Sequence, residues 1–192
     1  MALKADLRKA YLSARRHYSL EELEAKSQQI CNRFFLEFAP KSGQTVHSFL
    51  PIRQHREMDT WYIIRQLWQQ QVQVAVPVSS IADFSMTHYL LTSDTEVQEN
   101  KWGIPEPVGA LPIPEAEIDL VLVPLLAFDL QGHRVGYGKG FYDRFMALLP
   151  KTTQKIGLSL EPPVEVIDDI HANDLTLDAV VTPSQVYNFQ NA

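Results

Sequence analysis

The 192 residues comprise 45% apolar and 21% charged types, a globular balance that suits one domain with a sizeable core and excludes an intrinsically disordered chain. Seventeen Lys and Arg against 23 Asp and Glu leave a net charge of −6, which disfavours a surface that grips nucleic acid or an anionic membrane over its whole extent. The longest apolar run, 120–128, is interrupted by Pro124 and falls short of a membrane span, and the N-terminus alternates apolar and charged residues where a secretory signal would be unbroken.

Leu3, Leu7, Ala10, Tyr11 and Ala14 recur at helical spacing. Ser19 followed by Glu21 and Glu22 reads as the cap of a second helix reaching about Phe38. Within it lies the lone Cys31, which can form no intrachain disulfide and is expected as a core thiol of a cytoplasmic protein. Pro40 and Gly43 end the helical pattern; 45–50 is a short β-rich run, and Asp59 or Thr60 could cap a helix through Gln69. Val72, Val74, Val76 and Val78 mark a second strand and 86–91 a weaker third. Pro105, Pro107, Pro112 and Pro114 punctuate what reads as an ordered crossing loop. Residues 120–123 are apolar without exception, as expected of a strand covered on both faces; a helix over 141–149 and strands over 155–160 and 179–182 follow. The alternation predicts an α/β sandwich with a largely parallel or mixed sheet, in one domain over 1–192. The six histidines show no zinc-site or nucleophile–base spacing, and most are expected at the surface.

The most informative segment is Gly132-His133-Arg134-Val135-Gly136-Tyr137-Gly138-Lys139-Gly140-Phe141-Tyr142-Asp143-Arg144, between the buried strand and a helix. Its glycines allow close backbone approach to a ligand, and N–H groups at a helix start together with Arg134 and Lys139 suit phosphate. A plain structural turn is the alternative. The Walker pattern fails, because His133 replaces its first glycine and Gly140 follows Lys139. The dinucleotide fingerprint fails at Phe141, which stands at its third glycine.

Val123-Pro124, Ala127-Phe128-Asp129, Gly132, Arg134, the run 136–140 and Tyr142-Asp143 resemble the signature of the 5-formyltetrahydrofolate cyclo-ligase, or methenyltetrahydrofolate synthetase, family. The resemblance extends through Lys4, Arg8, Glu57, the stretch 102–107 and Asn173-Asp174 to Asp178. It implies a three-layer α/β/α fold in a single domain. It also implies ATP and Mg2+ as requirements, conversion of 5-formyltetrahydrofolate to 5,10-methenyltetrahydrofolate with release of ADP and phosphate, and no obligate protein partner.

By the same resemblance, Arg134 and Lys139 are catalytic, and Lys4, Arg8, Arg134, Val135, Gly136, Tyr137, Gly138, Lys139, Gly140, Phe141, Tyr142 and Asp143 bind nucleotide. Leu50, Glu57, Trp102, Tyr137, Gly138, Lys139, Gly140 and Phe141 face folate, and Asp143 and Asp174 hold magnesium. Phe141 stands where the family commonly has Tyr, and Asn173 where several members have His. Each role has a plainer counterpart. Lys4 and Arg8 could be a solvated helix face, Asp143 a cap, Asp174 a turn residue and Glu57 a charge at a helix start, while Leu50, Trp102 and Met86 could be packing.

Overall fold

The computed structural model describes residues 1–189, so the last three residues of the unit expected over 1–192 lie outside the described ones. Helix α1 (Lys4–His17) lays Leu7 and Tyr11 against Ala127, Val135 and Ile167. Helix α2 (Leu20–Glu37) opens with a capping box, in which Ser19 Oγ accepts from the Glu22 N–H at 3.1 Å and Glu22 Oε2 from the Ser19 N–H at 2.8 Å. Its face of Ile30, Cys31 and Phe34 is buried, and burial pushes the Cys31 thiol up to about 11, an inert core group.

Strand β1 (Thr45–His47) is shorter than the run 45–50 suggests, because after Ser48 the chain leaves the sheet for a 3-10 turn at Arg53–His55. Helix α3 (Trp61–Gln69) is capped by Asp59, whose Oδ1 accepts from the Trp61 N–H at 3.0 Å; the Thr60 hydroxyl turns instead to the Phe49 carbonyl at 2.7 Å. Strands β2 (Gln73–Ser80) and β3 (Ser85–Leu90) form an antiparallel pair. The proline-punctuated stretch contains a small hairpin, β4 (Val97–Glu99) with β5 (Pro105–Pro107), whose three-residue strands are too short to show a period. After β6 (Leu120–Pro124), a second hairpin, β7 (Ala127–Phe128) with β8 (Arg134–Val135), takes up the first part of the glycine-rich segment. Helix α4 (Phe141–Leu148), β9 (Gln154–Leu158), β10 (Ala179–Val181) and β11 (Val186–Asn188) complete the chain.

The main sheet has the order β11-β10-β9-β6-β1-β2-β3, with five central parallel strands and an antiparallel strand at each edge. Val46, Val74, Leu120, Leu122 and Ile156 pack on one face against Ile30, Phe34, Ile63 and Leu67 of α2 and α3. Val121, Val123 and Val180 pack on the other against Phe145, Met146 and Leu149 at α4. Strand β6 supplies both cores, which explains its unbroken apolar run, and the result is the expected three-layer α/β/α sandwich with a mixed sheet.

The neighbours β1 and β6 send the chain in opposite directions: β1 through α3 to β2, and β6 through α4 to β9, on opposite faces. Such a reversal opens a crevice beyond the strands' carboxyl ends, the usual ligand position in an open α/β sheet. The segments leaving those two ends carry Leu50 and Glu57, and Arg134 through Asp143.

Candidate active-site cleft

A cleft of about 770 Å³ occupies this crevice. Every residue given a nucleotide, folate, metal or catalytic role from the sequence lines it except Val135. The Val135 side chain lies in the apolar cluster with Ala127 and Ile167, and its carbonyl accepts from the Leu126 N–H at 2.7 Å, so β-pairing turns it away from the cleft. Gly132 likewise belongs to the β7–β8 turn, which Asp129 knots by accepting from the N–H groups of Gln131 and His133, each at 2.9 Å.

Part of the cleft lining is cationic. Lys4 and Arg8 project from one face of α1: Lys4 Nζ pairs with Asp174 Oδ2, and Arg8 Nε donates to the Gly136 carbonyl at 2.8 Å. They therefore do not form a free basic surface. Arg134, 9% exposed, donates to Asp143 Oδ1 at 2.7 Å and to the Leu175 carbonyl at 2.5 Å. Lys139 is exposed in the loop, with no ion pair among the described residues. The loop turns on Gly138 (φ 86°) and on Gly140 (φ 71°), the N-cap of α4. Asp143 is thus not the cap; it sits in the first helical turn with its carboxylate drawn to Arg134.

Another part of the lining is apolar and aromatic and includes Phe49, Leu50, Met86, Ile104 and Trp102. Leu50 is buried, while Trp102 is 48% exposed on the β4–β5 turn. Glu57, 6% exposed, also lines the cleft and accepts from the Tyr137 hydroxyl at 2.5 Å and from the Ile52 N–H at 2.7 Å. It caps nothing, since α3 begins four residues later under Asp59. Burial raises the Glu57 carboxyl above its ordinary value, and the two hydrogen bonds and the charges of Arg15 and His55 offset part of that rise. The Tyr142 hydroxyl is buried without a partner among the described residues; burial first, then the nearby Glu57 charge, keeps it protonated.

Both candidate metal carboxylates are half engaged. Asp143 Oδ1 serves Arg134 and the Leu175 N–H, and Asp174 Oδ2 serves Lys4 and the His171 N–H at 2.6 Å. The second oxygen of each has no hydrogen-bond partner among the described residues. Two hard oxygens beside a phosphate-suited loop fit magnesium, which takes one or two carboxylates and completes its shell with phosphate oxygens and water. Among the described residues no group of three His, Cys, Asp or Glu could hold a metal without other ligands.

The spacing of Lys4 and Arg8 already signalled a helix face, yet Arg15, three turns beyond Lys4 on that face, was not singled out. It is buried and donates to the Tyr137 hydroxyl at 3.1 Å. His55, whose ring lies 5.0 Å from that of Tyr137, and the hairpin-tip Phe84, 5.7 Å from Phe141, also line the cleft. Four histidines are at least partly exposed, but His47 and His88 form a buried pair at 3.1 Å that no spacing revealed. Among the described residues no helix is long and apolar enough to cross a membrane.

The chain is similar to known proteins over most of its length. Residues 1–183 match the model of the 5-formyltetrahydrofolate cyclo-ligase family. The 5-formyltetrahydrofolate cyclo-ligase of Escherichia coli K12 is 31% identical over 181 residues, covering 91% of this chain and 97% of the relative. The solved 5,10-methenyltetrahydrofolate synthetase of Aquifex aeolicus aligns over 98% of this chain and 94% of its own, with a TM-score of 0.76 and 25% identity. That of Mycoplasma pneumoniae aligns over 94% of this chain and 98% of its own, with a TM-score of 0.73; at 23% identity it speaks for the fold alone. With a match that runs from the cationic face of α1 past the glycine-rich loop and Asp174, the chain belongs to the 5-formyltetrahydrofolate cyclo-ligase family.

Proposed function

We propose that this ligase converts 5-formyltetrahydrofolate to 5,10-methenyltetrahydrofolate with ATP and Mg2+, releasing ADP and phosphate. The observation that carries the reading is that one cleft is lined by the cations Lys4, Arg8, Arg134 and Lys139, by the glycine-rich loop, and by an apolar and aromatic set that includes Leu50 and Trp102. A polyphosphate and a flat heterocycle thereby meet in a single cavity.

The formyl oxygen of an amide is a poor leaving group and must be activated before it departs. Transfer of the ATP γ-phosphoryl to that oxygen makes it part of a phosphate ester. The substrate's own N10 then attacks the formyl carbon, gives up its proton and expels phosphate, so no enzyme nucleophile is required. Such a transfer asks mainly for alignment and charge stabilisation. Lys4, Arg8, Arg134 and Lys139, with the N–H groups of 136–140, supply the charge; Arg134 is held from two sides and Lys139 is free to follow the moving phosphoryl group. Asp143 and Asp174 would hold magnesium, which supplies charge neutralisation on the phosphate oxygens. Glu57 accepts from the pterin's amino and ring N–H groups, Leu50 and Trp102 wall the ring, and the unpartnered Tyr142 hydroxyl offers a donor in the cleft. We read 1–192 as one cytoplasmic cyclo-ligase domain; the continuous sheet from Thr45 to Asn188 supports the single unit.

The test is incubation of purified protein with ATP, Mg2+ and 5-formyltetrahydrofolate, following the near-ultraviolet absorbance of the methenyl product beside ADP release. One ADP per methenyl product is expected. Folate binding without ADP would overturn the proposed reaction, and equal turnover of the 10-formyl isomer would overturn the proposed alignment of N10 with the formyl carbon.

A further inference from the structure

Arg15 is 5% exposed and lies on the face of α1 that also carries Lys4 and Arg8. Its guanidinium donates to the Leu125 carbonyl and, at 3.1 Å, to the Tyr137 hydroxyl. That hydroxyl donates in turn to Glu57 Oε1 at 2.5 Å, while the Ile52 N–H fills Oε2 from the other side at 2.7 Å. A phenol has one proton. Once its oxygen accepts from a guanidinium, which only donates, that proton is committed to the carboxylate. The chain therefore has one direction, from a permanent cation to an anion. Arg15 is largely withdrawn from water, so solvent screens the cation weakly.

We propose that Arg15 is a positioning residue: acting through Tyr137, it fixes the Glu57 carboxylate as an anionic acceptor aimed at the pterin N–H donors, and so sets the pH range over which folate is bound. The inference rests on the reading that Glu57 receives those donors. The charged and titratable groups facing Glu57 are Arg15 from α1, Tyr137 from the loop, His55 from the 3-10 turn and Tyr142 from α4. Burial, reinforced by the Glu57 charge, keeps both phenols protonated. The Arg15 guanidinium is a permanent cation, and His55 is exposed to solvent. Burial favours a neutral Glu57, and Arg15 with its relay opposes it. Losing either Arg15 or the Tyr137 hydroxyl therefore moves protonation of Glu57 to higher pH, and a protonated carboxyl accepts fewer hydrogen bonds.

The experiment measures KM for 5-formyltetrahydrofolate and kcat from about pH 5.5 to about pH 8.5, spanning the range between ordinary carboxyl and amine values. Equilibrium binding without ATP is read in parallel from tryptophan fluorescence. In Arg15→Met the acid limb of 1/KM should move up by about one pH unit, as loss of a nearby opposite charge does. Binding is then about tenfold weaker at the acid end, with little change in KM at the alkaline end and kcat held within about twofold. Arg15→Lys, which keeps a charge and a donor, should return most of the limb. Tyr137→Phe should move the acid limb in the same direction, on top of any pH-independent loss from its own contacts in the cleft, and decides the matter if Arg15→Met does not fold. A KM change equal at all pH values, or a loss confined to kcat, would overturn the proposal. If the wild type makes no methenyl product, the proposed reaction fails; if it turns over but Glu57→Gln keeps the wild-type KM and pH profile, the Glu57 role fails and Arg15's with it. If both stand while Arg15→Met and Tyr137→Phe keep the wild-type limb, Arg15 alone is refuted.

Discussion

Asp143→Asn separates metal holding from ion pairing by one isosteric change. Leaving a fully buried cation without its partner costs about 3–5 kcal/mol. Here the Asp143 side chain is 31% exposed, Asn retains an acceptor oxygen and Arg134 retains the Leu175 carbonyl, so solvent and the surviving bonds reduce the loss to about 1–2 kcal/mol. At roughly 2–4 °C per kcal/mol for a domain of this size, Tm falls by about 2–8 °C. Capping adds nothing, because the N-cap of α4 is Gly140. Turnover should fall by about two orders of magnitude, the scale set by loss of one preorganised charge partner. The assay follows methenyl absorbance across a magnesium titration at fixed ATP, beside thermal unfolding without magnesium. If Asp143 holds the ion, half-maximal turnover requires more magnesium and excess magnesium restores part of the rate. If it only braces Arg134, the magnesium curve keeps its midpoint at every ATP level. A fully active Asp143→Asn enzyme with unaltered magnesium dependence would refute both roles.

Gly138→Ala should cost about 1–2 kcal/mol in urea unfolding for its left-handed backbone and raise KM for ATP, because its Cβ would stand 3.1 Å from Cζ of Arg8. Gly136→Ala, whose Cβ meets open space, should stay within about 0.5 kcal/mol. Burial, and then the adjacent His88, hold His47 well below its ordinary value, so the unfolded chain binds a proton that the folded one refuses. That stability is complete above about pH 6.5 and declines as pH falls below it, by up to about 1.4 kcal/mol per pH unit, a slope His47→Gln should flatten in urea melts. Ser19→Ala breaks the capping box and should lower Tm by about 2–4 °C, for about 1 kcal/mol, without changing turnover.

What the sequence disclosed followed from what each element needs. Strand β6 is covered on both faces and must be apolar throughout, and α2 needs a cap, so both were legible. The hairpins β4–β5 and β7–β8 were not, because two or three residues cannot establish a period and their pairing is set by contacts between distant segments. The cleft residues are legible from their chemistry and from the family signature; Val135 lies inside that signature, but β-pairing turns it inward. Arg15 was missed because a cation on an amphipathic helix reads as solvated until Leu125 and Tyr137 are seen to close over it. The His47–His88 pair joins residues 41 apart on strands not adjacent in the sheet, a relation that no local pattern encodes.

A net charge of −6 and a cleft suited to two anions are compatible because the two signs do different work. The carboxylates of Asp168 and Asp169 receive the backbone N–H groups of Ala2 and Lys4 at 2.5 and 2.7 Å, anchoring the start of α1, where the helix dipole favours negative charge. That anchoring holds Lys4 and Arg8 toward the loop, and Asp174 then fixes the direction of Lys4. Burial works against ionisation of Asp174, but the hydrogen bonds from Lys4 and the His171 N–H outweigh it and keep the carboxyl below its ordinary value. The acidic residues of this segment thus orient the cations that would meet ATP. Arg8, Arg134 and Lys4 are held before any anion arrives, so less side-chain entropy remains to be lost on binding than a basic patch of freely rotating lysines would lose.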